Sequence, residues 1–357
     1  MTTPITESAL YQTIHRQPAD WRRLLAHDAS PIAAAAVRLQ QAAHILLVGT
    51  GTSYHAAQLG AYLLRAAGRF AWAEHSHDFA SYPFPLGPHD AVIVISHTGW
   101  KQYSLRCIER GRNVGAWCLA ITGENTSIPG DGSGGSPNQV LHTVEQERSA
   151  AYTASYTGAL IVLAQLAVHL GAPDIASALP QLPTQAEEIL ARQDEIRTWV
   201  RVADLDKRLM YAGNGLNGWT AAEGALKAKE ASYITAEGMA TEHLLHGPFF
   251  GLNPGDHLLL LNTPGPFSVR ATELASLAHE IGLDILWFGT PPASSSPLKG
   301  FPVGETLEVV SPILAVVPLQ LLACYLAEAR GANPDSARMD VEPFAQPLKR
   351  FLEQKKF

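Results

Sequence analysis

Three charged residues on one predicted helix could carry out acid–base chemistry. Within Tyr211–Phe250, a short apolar run ends at a Gly-rich turn, and a helix rich in Ala and Gly is expected from about Trp219. Glu223, Lys227 and Glu230 are spaced i, i+4 and i+7 and therefore share one face of this helix. An exposed ladder of ion pairs would explain this spacing. The small residues around it instead indicate close packing, in which a partly desolvated carboxylate is suited to moving protons.

A histidine follows the predicted helix. His246 precedes Gly247 and Pro248 at the end of the next short helical stretch. A histidine at a tight Gly-Pro turn is more often structural than catalytic. Because the carboxylate helix is close in sequence, His246 is the second candidate for proton transfer.

Two clusters of hydroxyl and glycine residues follow predicted strands in the first half of the chain. One cluster is Gly51, Thr52 and Ser53, and the other is Ser96, His97, Thr98 and Lys101. Each begins a helix, whose N-terminal N–H groups favour an anion. Because parallel strands end at one edge of a sheet, we expect the two loops to converge on one phosphate. The alternatives are a simple serine N-cap and a solvated lysine, and neither loop has the dinucleotide or P-loop pattern.

Short apolar runs alternate with helix-like stretches, which predicts mostly parallel, doubly wound α/β sheets. The runs are His44–Val48, Ala91–Ser96, Ala116–Thr122, Val140–Val144, Arg208–Ala212, His257–Leu261, Asp284–Gly289 and Thr306–Val310. The repetition predicts two similar domains from an internal duplication. We expect a helical arm over 1–30, a first domain over 31–180, a second over 190–340 and a tail over 341–357. A linker is predicted at Gly171–Pro183, and a mobile Gly/Ser-rich loop at Gly123–Asn138.

The composition excludes several classes of protein. Of the 357 residues, 46% are hydrophobic and only 17% are charged, which excludes intrinsic disorder and suggests a buried subunit interface. Lys plus Arg total 26 and Asp plus Glu 33, so the net charge of 26 − 33 = −7 argues against a nucleic-acid partner. The histidines are scattered without metal-ligand spacing, so neither a metal nor another cofactor is expected.

Cysteine content and targeting signals predict a cytoplasmic protein. Cys107, Cys118 and Cys324 are widely spaced in apolar surroundings and are expected to be buried thiols. The N-terminus has no signal-peptide pattern. Ala150–Leu170 has about the length of a membrane span, but its polar residues favour a buried core helix. We therefore expect no membrane partner.

Five motifs resemble the sugar isomerase (SIS) family, and most of all the isomerase half of glutamine–fructose-6-phosphate amidotransferase. They are GTSYHA (Gly51–Ala56), ISHTG (Ile95–Gly99), EGALKAKEASYITAE (Glu223–Glu237), HGP (His246–Pro248) and SPILAVVPLQLLACYLA (Ser311–Ala327). They occur in the family's order, over roughly residues 20–340. The resemblance implies two nucleotide-binding-like SIS domains and a homodimer with shared active sites.

The resemblance also implies roles for individual residues. The residues implied to hold the sugar phosphate are Thr52, Ser53, Ser96, His97 and Thr98. Glu230 is implied to move a proton between C1 and C2 of the sugar. His246 is implied to help open the sugar ring, reaching the site from the neighbouring subunit.

Several departures from the family pattern change the expected substrate. The family's imine-forming lysine is replaced by Glu342, and Lys349 lies seven residues later. His243 stands where the family has Glu, and Trp100 and Lys101 replace a small polar pair. There is no Cys at position 2 and no room for a glutaminase domain ahead of the first SIS domain, so we expect no ammonia from the chain's own hydrolysis of glutamine.

The sequence therefore predicts a phosphosugar isomerase acting on a hexose or hexosamine 6-phosphate, with ammonia as a candidate second reactant. An aldose–ketose isomerase and a glucosamine-6-phosphate deaminase are close alternatives, and a deglycase of a sugar–amine conjugate is a third. Lys101, Lys227 and Lys349 are the candidates to replace the imine lysine. The alternative from another class is a protein that senses sugar phosphates. A sensor would need only the phosphate loops, whereas this sequence also retains Glu230 and His246.

Overall fold

The computed structural model describes residues 4–126, 128, 135–289 and 299–353. The chain divides into two compact units. The first contains residues 19–147, 152–180 and the segment from 338, and the second contains residues up to 18, 148–151 and 181–337. The centre of the predicted loop at Gly123–Asn138 (residues 127 and 129–134) lies outside the described residues.

The first unit contains a five-stranded parallel sheet. Its strands are β1 (Ile45–Gly49), β2 (Ala71–His75), β3 (Ala91–Ile95), β4 (Trp117–Thr122) and β5 (Gln139–His142), in the order β2-β1-β3-β4-β5. The helices of this part of the chain are α1 (Ala9–Ala26), α2 (Ser30–Gln41), α3 (Thr52–Ala66), α4 (Ser76–Ser81), α5 (Gln102–Asn113), α6 (Ala154–His169) and α7 (Pro173–Ala178). β1 and β3 are buried along their whole length, as expected for strands covered on both faces.

The second unit contains another five-stranded parallel sheet. After α8 (Leu182–Ala191) and α9 (Gln193–Val202) come β6 (Leu209–Gly213), α10 (Asn217–Ser232), β7 (Ala236–Ala240), α11 (Thr241–Leu245), β8 (His257–Asn262), α12 (Ser268–Ile281), β9 (Asp284–Gly289), β10 (Lys299–Phe301) and α13 (Ser311–Arg330). α14 (Ala345–Glu353) follows in the C-terminal segment. The strand order is β7-β6-β8-β9-β10, so the two sheets share one topology.

One predicted strand is wrong and three strands were missed. Thr306–Val310 leads into a turn in which Val310 and Ser311 donate their N–H groups to the Leu307 carbonyl at 2.9 Å, where α13 begins at Ser311. The fifth strand of this sheet is instead β10, only three residues long. β2 and β7 were missed because they are edge strands with polar, partly exposed sequences that lack the buried apolar pattern.

The two most apolar helices are core elements. α6 lies within the predicted buried stretch Ala150–Leu170, and 13 of its residues are buried, which confirms the interpretation as a core helix. Among the described residues, α13 is long and apolar enough to cross a membrane, but 89% of its most apolar window is buried inside the structure. All three cysteines are free and buried. Burial raises the pKa of Cys107 and Cys118 to about 12, so both are neutral thiols at pH 7.

Glycines let α10 pack directly on the backbone of β7. A Cβ atom on Gly238 would lie 2.2 Å from the carbonyl oxygen of Ala221, and one on Gly218 would lie 2.7 Å from the Cα of Ala240. Both contacts are with backbone, which cannot move aside without shifting the strand or the helix. The close packing predicted from the small residues of this helix is therefore present.

We expect Gly238→Ala to destabilise the protein by about 1–3 kcal/mol or more, because overpacking against backbone forces α10 away from β7. Urea unfolding would measure the change. Gly87→Ala is the matched control, because nothing lies within 4 Å of a Cβ atom at Gly87. Equal stability of the two variants would contradict this account of the packing.

Candidate active site

The loop after β1 presents two hydroxyl side chains at the start of a helix. Gly51 has φ of 57°, in the left-handed region that favours glycine, and it ends the turn from which α3 begins. Thr52 and Ser53 occupy the first turn of α3 and are half-buried. Together with His97 they line a cavity of about 20 Å³. This volume holds about one water molecule and is too small for a whole sugar.

The loop after β3 carries hydroxyls that nothing in the described structure satisfies. Ser96 is 5% exposed, and its backbone N–H donates to the Ile121 carbonyl at 3.0 Å. The Oγ of Ser96 and the Oγ1 of Thr98 are buried and have no hydrogen-bond partner among the described residues. A buried hydroxyl without a partner costs about 1–3 kcal/mol, so a ligand or a water molecule that bonded to these two hydroxyls would recover that cost.

His97 lies between these hydroxyls in sequence, but its ring is turned inward. Its Nε2 accepts a hydrogen bond from the Glu147 N–H at 3.1 Å, so in this arrangement the proton lies on Nδ1. The His97 carbonyl accepts from the Gln146 side chain at 2.8 Å. The ring therefore fixes the loop after β3, while a direct contact between His97 and phosphate stays a prediction.

Glu147 was missed in the sequence. Its carboxylate accepts hydrogen bonds from the N–H groups of Thr153 at 2.9 Å and Ser155 at 2.8 Å, at the beginning of α6. A carboxylate at a helix N-terminus satisfies N–H groups that have no partner within the helix. An acidic residue a few positions before a run of Thr and Ser that opens a helix is the signal that could have revealed it.

Lys101 immediately precedes α5 and is half-buried, next to Trp100, which is 47% exposed. The structure thus places Lys101 in the loop after β3, the loop that also contains Ser96. Its contribution to phosphate binding stays a prediction.

In the second unit, α10 carries a buried array of three charges. Lys227 is 1% exposed, and its Nζ lies 3.3 Å from a carboxylate oxygen of the fully buried Glu223. The same ammonium donates to the carboxylate of Glu230, which is 34% exposed. The three residues therefore share one face of α10, and Lys227 forms ion pairs with both carboxylates. Glu230 is the member of the array that solvent can reach.

His246 lies elsewhere on this unit's surface. Its side chain is 75% exposed, and its Nε2 lies 3.1 Å from Glu242. Glu242 in turn accepts from Arg270 at 2.8 Å, and hydrogen bonds from Arg270 and His246 lower the pKa of the Glu242 carboxyl. Among the described contacts His246 pairs with Glu242 and not with Glu230. Such exposure leaves the imidazole accessible to another molecule.

Comparison with known proteins shows what the chain resembles. Residues 38–169 match the family model of the SIS domain. The resemblance to the SIS family is confirmed. A glutamine–fructose-6-phosphate aminotransferase (isomerizing) from Gloeobacter violaceus is 31% identical over 312 residues, which are 82% of this chain and 50% of that protein. The chain therefore spans about half the length of the curated relatives that it matches.

Solved structures share the fold. The C-terminal domain of glucosamine-fructose-6-phosphate aminotransferase from Francisella tularensis has a TM-score of 0.82 at 21% identity, covering 92% of this chain and 98% of that one. A tagatose-6-phosphate ketose/aldose isomerase from Escherichia coli has a TM-score of 0.76 at 19% identity, with coverage of 94% and 97%. A glucosamine-6-phosphate deaminase from Thermotoga maritima has a TM-score of 0.69 at 18% identity, with coverage of 92% and 97%. At these identities the similarity concerns the fold of SIS proteins alone.

We expect Ser96→Ala combined with Thr98→Val to raise the Kd for a phosphosugar about tenfold or more without lowering the melting temperature, because these hydroxyls have no partner to lose. Isothermal titration calorimetry and a thermal melt would measure both. The control is Ser232→Ala, whose Oγ donates to the Ala228 carbonyl at 2.6 Å, and which should lose about 1 kcal/mol of stability and leave the Kd unchanged. An unchanged Kd in the double variant would remove the loop after β3 from the binding site.

Replacing Lys227 by Met should destabilise the protein by about 3–5 kcal/mol, because it leaves the buried Glu223 carboxylate without its counter-charge. Adding Glu223→Gln should recover most of this loss, as urea unfolding would show. Lys229→Met, at an exposed position on the same helix, is the control and should change stability by less than about 0.5 kcal/mol. Wild-type stability of the Lys227 variant would mean that the array is not a structural unit.

Proposed function

We propose that the protein is a phosphosugar isomerase that acts on a hexose or hexosamine 6-phosphate, with two tandem SIS domains corresponding to the two sheets. The observation that carries the proposal is the accessible carboxylate of Glu230, held in place by a fully buried lysine. The SIS match and the isomerases and deaminase among the structural neighbours support the same class of reaction.

In this proposal the first unit binds the phosphate of the sugar. Thr52, Ser53, Ser96 and Thr98, with Lys101, supply hydroxyls and positive charge at the carboxyl edge of the first sheet. A phosphate remote from the reacting carbons can fix the sugar, so that binding energy is used for positioning.

Proton transfer is assigned to the second unit. Glu230 takes a proton from the carbon next to the carbonyl or imine and returns it to the neighbouring carbon, through a cis-enediol or enolamine. Lys227 is a positioning residue, because its ammonium is already bound to two carboxylates. His246 exchanges a proton with the ring oxygen during ring opening, and its exposure supports a homodimer in which it acts at the partner's site.

The proposal covers sugars that carry either oxygen or nitrogen at C2. Glu342 is exposed, and Lys349, also exposed on α14, is the nearest lysine in the tail. Loss of the imine lysine favours either plain enediol chemistry or a sugar that already carries nitrogen, including deamination that releases ammonia. A deglycase acting on a sugar–amine conjugate would use the same proton transfer. A cytoplasmic location and the lack of a cofactor stay predictions.

The test is proton NMR in D₂O with fructose 6-phosphate, glucose 6-phosphate and glucosamine 6-phosphate, each with and without ammonium. We expect deuterium to enter C1 or C2 of one sugar, and Glu230→Gln to slow that exchange by about 10²–10⁴-fold, because it removes the base. Glu237→Gln, an exposed carboxylate seven residues later, is the control and should exchange at the wild-type rate.

Full exchange by the Glu230 variant would overturn the assignment of the base. Exchange only with glucosamine 6-phosphate, with release of ammonia, would select the deaminase. Binding of a phosphosugar without any exchange would favour the sugar-phosphate sensor over the enzyme.

A further inference from the structure

The second unit has two loops at the position that matches the phosphate loops of the first. We call the position between the loops after β1 and β3 the first crevice, and the matching position between the loops after β6 and β8 the second crevice. β6 pairs with β7 on one side and β8 on the other, as β1 pairs with β2 and β3. The loops after β6 and β8 therefore leave the carboxyl edge of their sheet at the point where the strand order reverses, and open α/β sheets bind ligands there. By topology alone, each unit offers one place for a phosphate.

The polar side chains of this second crevice are already bonded to one another. The amide of Asn214 donates to the Thr263 carbonyl at 2.8 Å. The amide of Asn217 donates to Thr263 Oγ1 at 2.9 Å and to Ser311 Oγ at 2.8 Å. The hydroxyls after β3 in the first crevice, in contrast, have no partner among the described residues. The second crevice therefore has fewer donors to offer an incoming anion.

The carboxylate of Glu308 packs against one glycine in each loop of the second crevice. A Cβ atom on Gly215, after β6, would lie 2.7 Å from Oε1 of Glu308. A Cβ atom on Gly265, after β8, would lie 2.7 Å from the carboxyl carbon of the same side chain. Glu308 thus fills the space that two residues without side chains leave open.

No cation neutralises this carboxylate within the described part of the chain. Glu308 forms no ion pair with a described Lys, Arg or His, and burial raises the pKa of its carboxyl group. A phosphate dianion entering the second crevice would meet the space that Glu308 occupies. It would also meet a like charge when the Glu308 carboxyl is ionised.

We propose that Glu308 is a specificity-determining residue that excludes anions from the second crevice, so that each chain binds one phosphosugar, at the first crevice. The part of this inference that concerns the first crevice rests on the proposed function. The exclusion of anions by Glu308 does not, because it follows from the geometry of the second unit alone.

Isothermal titration calorimetry with fructose 6-phosphate, and separately with inorganic phosphate, tests the inference. We expect one site per wild-type chain. Glu308→Ala, which removes both the charge and the bulk, should add a second and weaker saturable site. Glu308→Gln keeps the bulk and removes only the charge, so it shows which of the two excludes the anion. Glu280→Ala removes an exposed carboxylate from α12 and should keep one site.

Two sites per wild-type chain would overturn the proposal. So would a Glu308→Ala variant that melts cooperatively like the wild type but still shows no additional site for either ligand. If wild-type protein bound no phosphosugar, the proposed function would fail. A phosphate site gained in Glu308→Ala would then still support the role of Glu308, and the lack of one would overturn it.

Discussion

The buried ammonium of Lys227 is the constraint on which the candidate active site depends. A charged amine that is 1% exposed requires negative charge beside it, and Glu223 and Glu230 supply that charge from the same helix. One of these carboxylates is fully buried and acts as the internal counter-ion. The other reaches the surface of the unit. A single lysine therefore determines where the accessible carboxylate of Glu230 lies.

This array requires α10 to be packed closely enough to exclude water from Lys227. Gly218 and Gly238 bring the helix onto β7, and Gly224 allows contact with Leu319 of α13, where a Cβ atom would lie 2.6 Å from the leucine Cδ1. Gly218 and Gly224 would weaken α10 as an isolated helix, because each costs about 1 kcal/mol relative to alanine. Their presence is explained by packing, and the packing in turn provides the low-polarity surroundings of the ion array.

Sequence patterns predicted those parts of the fold and site that depend on local periodicity. The runs at Asp284–Gly289 and Ala91–Ser96 predicted buried strands because both faces of these strands are covered. The i, i+4, i+7 spacing predicted the charged face of α10. The strands β2 and β7 were not predicted because they lie at the edges of their sheets. Their residues are partly exposed and need not be apolar. The run at Thr306–Val310 has high strand propensity, but the turn into α13 uses its N–H groups.

What the sequence could not provide is the set of contacts between residues distant in the chain. Nothing near Glu308 in sequence indicates that its carboxylate rests on Gly215, ninety-three positions earlier. The two sheets have the same strand order, so topology fixes where a ligand crevice forms in each unit. Side chains from other elements, however, also occupy these positions, as Glu308 does in the second unit. Two crevices built on one topology can therefore differ in the ligands that they accept.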